Sequence, residues 1–144
     1  MNSWPEAFIQ RIHQQYPDSA SEFLDALNLA PVTSFRLNPL KTPTQLELEG
    51  IPWYSGGYYI KDRPSFTLDP WFHAGMYYVQ EASSMFVAHA LQQVINFEED
   101  LAVLDLCGAP GGKSTLIASL LTADSLLVAN EVIRSRAQIL SENL

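Results

Sequence analysis

Apolar residues in the first thirty positions recur at helical spacing. Trp4, Phe8 and Ile12 fall at i, i+4 and i+8, one stripe of a helix over 4–15, and Pro5 suits its first turn. After the break at Tyr16-Pro17-Asp18, Ser19 with Glu22 three residues on has the form of a capping box. Phe23, Leu24 and Leu27 would face inward from this second helix. The period then changes. Val32–Leu37 reads as a strand stopped at Asn38-Pro39, and Thr42-Pro43 can open a short helical turn before Gly50. From 51 to 75 aromatic residues are interrupted by glycine and proline. Gly56-Gly57 predicts a turn there, with a short strand at Tyr58–Ile60.

Beyond residue 80 the pattern is simpler. Ser83 or Ser84 is placed to cap a helix reaching about Ile95, with Met85, Ala88, Leu91 and Ile95 on one face. Ala102–Leu106 is nearly all apolar, as expected of a parallel strand covered on both faces. A helix from Lys113 to about Leu121, a strand at Ser125–Ala129 and a helix over 132–143 follow. Strand, helix, strand, helix at this spacing predicts a parallel sheet. The fold class expected is α/β: a small N-terminal α+β domain over 1–72, then over 73–144 the first βαβα part of a Rossmann-like core. Two parallel strands make a poor free-standing sheet. The chain is therefore read as the front of a longer protein, with completion of the sheet in a homodimer as the alternative.

Composition narrows this. With 47% apolar and 17% charged residues a packed core is expected. No apolar run approaches the roughly 20 residues of a membrane span, and the N-terminus lacks the features of a signal peptide. Cys107 is the sole cysteine, so no internal disulfide forms, and no cysteine–histidine cluster has zinc spacing. A cytoplasmic protein without a metal site is expected. The net charge is −8, with eight acids and five bases in 1–72 and eight acids and three bases in 73–144. Neither half has the clustered lysine and arginine of a nucleic-acid surface.

The chemistry concentrates at Leu104-Asp-Leu-Cys-Gly-Ala-Pro-Gly-Gly-Lys113, between a predicted parallel strand and its helix. Glycines at 108, 111 and 112 allow unusual backbone angles and close approach of a ligand. Pro110 stiffens the turn, and Asp105 can fix the loop or accept from a ligand. Gly112-Lys113-Ser114 copies the end of a phosphate loop, but Cys107 stands where that motif needs its first glycine. The dinucleotide pattern G-x-G-x-x-G is not met either. An S-adenosylmethionine site needs only close approach of the loop and an acid for the ribose hydroxyls after the next strand. Glu131, nineteen residues after Gly112, occupies that place. Asn130-Glu131 is equally suited to capping a helix.

Together these segments resemble the Sun-type (NSUN-like) RNA cytosine-C5 methyltransferases, most closely the RsmF- and RsmB-like ribosomal-RNA branch. Asp105–Lys113 resembles that family's first motif, which usually has alanine at the position of Gly108. Asn130-Glu131 with Arg136 and Asn143 is similar to its second motif, Tyr77–Ser84 to the segment before the core, and Arg36-Leu-Asn38 to its N-terminal domain. The resemblance implies a class I methyltransferase core, truncated here, with S-adenosylmethionine as cofactor. By it, Cys107, Gly108, Ala109, Pro110, Gly111, Gly112, Lys113 and Glu131 contact the cofactor, with Asp105 and Arg136 in support. Arg36 and Gln80 are candidates for RNA contact. Family chemistry uses one cysteine to attack C6 of the cytosine and a second to release the product. Cys107, expected to pack against the strand end in the cofactor loop, fits neither role. No catalytic residue is expected in this chain, which alone would be inactive, and the basic RNA surface would lie mainly in the missing part. The reading from another class is a non-enzymatic α/β interaction module whose glycine loop is only a tight turn. A surface or packing role is expected for His13, His73 and His89. The tyrosines at 54, 58, 59, 77 and 78 fit a core better than stacking on RNA.

Overall fold

Helix α1, Glu6–Gln15, opens the fold in a computed structural model that describes residues 4–41 and 46–144. Pro5 takes the N-cap position, Ile12 is buried, and the Trp4 and Phe8 rings lie 5.7 Å apart. Helix α2, Ala20–Ala26, follows Ser19, but no capping box forms. Ser19 has ψ 8° where a capping residue is normally extended, so its side chain makes no bond to the first turn. Ala20 is the buried residue of α2, whereas Phe23 and Leu27 are exposed, contrary to the inward facing expected of them. These helices form one compact unit, residues 1–31.

Residues 32–144 form the second unit. Its first part is an antiparallel sheet of β1 (Thr33–Leu37), β2 (Gly50–Ile51), β3 (Tyr54–Ile60) and β4 (Tyr77–Val79), in the order β2-β3-β1-β4. Phe35, Leu37 and Tyr58 form its buried cluster, with Ile60 and Tyr77 against it. The expected turn at Gly56-Gly57 is absent. Both glycines lie within β3, and the chain reverses instead between Ile51 and Tyr54. The cause is packing: a Cβ at Gly57 would stand 2.7 Å from Met85 Sδ and 2.8 Å from Ile51 Cδ1. The turn expected at Thr42-Pro43 lies outside the described residues.

The 51–75 region is more regular than its composition suggested. It contains β3, a 3-10 turn at Phe66–Leu68 and the short helix α3, Pro70–His73. Asp69 caps α3, its Oδ1 accepting from Trp71 N–H at 2.9 Å. Helix α4, Ala82–Gln92, starts after Glu81, so Ser83 and Ser84 sit inside its first turn and neither caps it. Met85 and Ala88 of α4 are fully buried.

The last part alternates as expected: β5 (Ala102–Asp105), α5 (Gly112–Ala118), β6 (Leu126–Ala129) and α6 (Arg134–Asn143). Strands β5 and β6 pair in parallel, Ala102 with Leu126 through Asp105 with Ala129. They are not covered on both faces. Leu104, Leu126 and Val128 are 58%, 60% and 48% exposed, because no element among the described residues packs on that side. Among the described residues no helix is long and apolar enough to cross a membrane.

Candidate functional site

Parallel pairing brings the ends of β5 and β6 side by side, so the loop after β5 lies next to the turn after β6. Asn130 joins them. Its N–H donates to Asp105 C=O at 2.8 Å, its C=O accepts from Gly108 N–H at 2.9 Å, and its Nδ2 donates to Leu106 C=O at 2.9 Å. The Asp105 carboxylate fixes the loop from within. Oδ1 accepts from Cys107 N–H at 3.2 Å, and Oδ2 accepts from the hydroxyl of the fully buried Ser114 at 2.7 Å. The sequence assigns Ser114 no site role, and it marks Asn130 only through its pair with Glu131. The available signal was an acid ending a strand, which needs donors from the loop and the helix that follow.

The glycines divide the work. At Gly111 φ is +116°, a region that L side chains rarely adopt. Gly108 answers crowding instead: a Cβ there would lie 2.8 Å from Ser114 Oγ and 3.2 Å from Leu140 Cδ2. Alanine, usual in the resembled family, would push Ser114 away from Asp105.

From the α6 side, Arg136 Nη2 donates to Ala109 C=O at 2.8 Å, and its Nη1 pairs with Glu131 Oε2 at 3.2 Å. Glu131 Oε1 accepts from Ile133 N–H at 3.0 Å. Asn143 Nδ2 donates to Pro110 C=O at 2.7 Å. Glu131 therefore orders the turn before α6, and through Arg136 it is connected to the loop. Each of its oxygens keeps a lone pair for a further donor. Lys113 is exposed. Cys107, expected to pack against the strand end, is exposed as well.

Arg36 and Gln80 meet on the other flank of α5. Arg36 is 3% exposed and Gln80 8%. Arg36 Nε donates to Gln80 Oε1 at 2.8 Å and its Nη2 to the Thr115 hydroxyl, while its Cζ lies 5.2 Å from the Tyr78 ring centre. Gln80 Nε2 donates to Gly112 C=O at 3.1 Å. No carboxylate among the described residues pairs with Arg36. Burial pulls its pKa below the ordinary guanidinium value, against the pull of Tyr54 and Tyr78, yet it remains a cation at neutral pH. A cavity of about 660 Å³ opens beside it, lined also by Asn38, Lys41, Thr115 and Ser119. Cys107–Lys113 and Glu131 do not line this cavity.

His73 bonds Thr67 C=O at 2.9 Å through Nε2. The tyrosines at 54, 58, 59, 77 and 78 are buried or half-buried, in keeping with packing roles. Among the described residues no group of three or more histidine, cysteine or acidic side chains converges to hold a metal.

A parallel strand, a glycine loop, a helix and a second strand followed by an acid make up the opening of a Rossmann-like methyltransferase core. Comparison with known proteins gives the family. A model of the N-terminal domain of the 16S rRNA methyltransferase RsmF matches residues 4–82, and one of the 16S rRNA methyltransferase RsmB/F matches 92–144. The chain belongs to this RsmF family of 16S rRNA methyltransferases. The ribosomal RNA small subunit methyltransferase F of Shewanella piezotolerans is 34% identical over 158 residues, which cover all of this chain and 33% of that protein. A methyltransferase homolog from Pyrococcus horikoshii superposes with TM-score 0.74 at 26% identity, covering 98% of this chain and 50% of its own. NSun6 of Pyrococcus horikoshii, solved with SFG, shares the fold: TM-score 0.73, 16% identity, 96% and 62% coverage. The chain spans about a third of the length of the curated relatives it matches.

Proposed function

We propose that this chain is the N-terminal part of an S-adenosylmethionine-dependent ribosomal-RNA cytosine-C5 methyltransferase. It carries the cofactor loop and lacks the catalytic cysteines. The supporting observation is the Arg136 bridge, which links Glu131 to the loop at Ala109 and sets the two parts of a cofactor site beside each other before any ligand arrives. In this reading Cys107–Lys113 approach the amino-acid and sulfonium portion of the cofactor, Glu131 accepts from the ribose hydroxyls, and Asp105 and Arg136 hold the geometry. The cofactor supplies the methyl group. The attacking thiolate belongs to the rest of the protein, so the chain alone is inactive.

RNA is the partner, bound mainly outside this acidic chain, and the protein is cytoplasmic. Arg36 is the substrate contact here, a buried cation facing a cavity with Lys41 and capable of meeting a phosphate. Gln80, engaged at both ends of its amide, supports Arg36. The division into an accessory domain (1–72) and the start of the cofactor domain (73–144) belongs to this reading; two separate family matches support a two-part chain, with the change falling between 82 and 92 rather than at 72. The same reading includes a homodimer of the chain, which would complete the sheet of β5 and β6.

One observation favours a non-enzymatic reading: both oxygens of Asp105 and of Glu131 already have protein partners, as in a turn complete in itself. Titration calorimetry with S-adenosylhomocysteine decides. Binding is expected, weakened about tenfold or more in Glu131→Ala, the worth of one charge-assisted hydrogen bond. A well-folded chain that gives no heat at millimolar ligand would overturn the cofactor reading.

A further inference from the structure

Gln80 is the meeting point of three elements. It follows β4, receives Arg36 of β1, and reaches the first residue of α5. Which end of its amide faces which partner is fixed by chemistry. A guanidinium has donors only, so the Gln80 oxygen must face Arg36. The amide NH₂ is then turned toward Gly112, whose carbonyl it meets at 3.1 Å. A parallel route runs through Thr115: its hydroxyl accepts from Arg36 Nη2 and donates to Gly111 C=O at 2.6 Å. Two successive carbonyls of the glycine loop are thereby each held by a side chain that Arg36 orients. This arrangement accounts for a buried cation with no carboxylate beside it among the described residues: an acid in place of Gln80 would satisfy Arg36 and take from Gly112 C=O the bond that the Gln80 amide donates.

We propose that Arg36 and Gln80 are positioning residues for the cofactor loop, so that the antiparallel sheet sets the backbone of Gly111 and Gly112 and with it the affinity for the cofactor. The inference rests on the cofactor reading above. Its test is Gln80→Glu in the full chain. The new carboxyl, beside Arg36, stays ionised and forms an ion pair. The fold is therefore kept, with a melting temperature equal to or above that of the parent chain. The same carboxylate turns an acceptor toward Gly112 C=O and displaces it. Expected are S-adenosylhomocysteine binding weaker by about tenfold or more, one buried hydrogen bond made repulsive, and shifts in the Gly112 carbonyl and Lys113 amide resonances. A merely structural role would move stability and affinity together, whereas positioning separates them. Thr115→Val provides the second variant should Gln80→Glu fail to fold; it removes the hydroxyl that links Arg36 to Gly111 C=O, leaving the backbone bond from Thr115 N–H at 2.8 Å, and is expected to weaken binding in the same direction. Affinity within twofold of the parent in a folded variant overturns the proposal. If the parent chain binds no S-adenosylhomocysteine, the cofactor reading fails separately. The resonances still decide the positioning, and an unmoved Gly112 carbonyl overturns it.

Discussion

The two sheets of the larger unit solve the same problem unequally. In the four-stranded sheet, Phe35, Leu37 and Tyr58 are buried on one face, and the other face is closed by α4 and by the Arg36–Gln80 network. In the two-stranded sheet one face is covered, and Leu104, Leu126 and Val128 are exposed on the other. The glycine loop nevertheless belongs to the second, less buried sheet. Its order comes from directed polar contacts: Asp105 with Ser114, Asn130 with Gly108, Arg136 with Ala109 and Gln80 with Gly112. Stability and site geometry thus have different sources in this chain. Apolar burial supports the first sheet, and hydrogen bonds aim the loop of the second.

Met85→Ala gives the largest expected effect. Met85 is fully buried on α4, and its sulfur closes on the β3 backbone at Gly57. Removing it leaves a cavity between helix and sheet, at about 2–5 kcal/mol of unfolding free energy. Urea denaturation followed by circular dichroism measures this. A loss below about 1 kcal/mol would mean that the first sheet is not the seat of stability, and the contrast between the sheets would break.

Legibility from sequence follows the same divide. Helix α1, strands β5 and β6 and helices α5 and α6 declare themselves through local period, and the loop through its glycines, because those signals lie within a few residues of each other. Strand β4 does not. It has three residues and exists through pairing with β1, Phe35 opposite Val79. Gly57 looked like a turn because the reason for it, Met85, lies on another element. The candidate site shows the same limit. Asp105, the loop and Glu131 were readable, but the role of Gln80 depends on Arg36, 44 residues away. A pattern rule sees neighbours along the chain and not across the sheet.

A smaller effect is expected at the other edge of the antiparallel sheet. Tyr77 OH donates to Asp69 Oδ2 at 2.5 Å; burial and this bond push its pKa up to about 12, and the same bond holds Asp69 below the usual carboxylate range. Since the folded chain holds the tyrosine proton more tightly than the unfolded one, stability is full below about pH 10 and is lost as pH rises toward 12. The Asp69 contribution has the opposite sense, present above its ordinary value of 3.8 and lost as pH falls through its lowered one. Tyr77→Phe is expected to lose less stability than Met85→Ala, because the pair is screened by solvent, and to flatten the decline above pH 10. Chemical denaturation of both chains between pH 7 and 11.5 tests this. Parallel curves across that range would detach the Tyr77–Asp69 pair from the stability of the sheet.

The smallest effect sharpens the comparison most. Leu126, 60% exposed on β6, makes its strand through the backbone pairing with Ala102. Leu126→Thr keeps a residue suited to strands and removes only apolar surface that water already reaches. A change within about 0.5 kcal/mol is expected, as for an ordinary surface position. A loss above about 1.5 kcal/mol, with a parent melting temperature that rises with protein concentration, would mean that a second copy covers this face in solution. The open sheet would then be as buried as the first, and the division between a stable sheet and a hydrogen-bonded loop would have to be redrawn at the dimer interface.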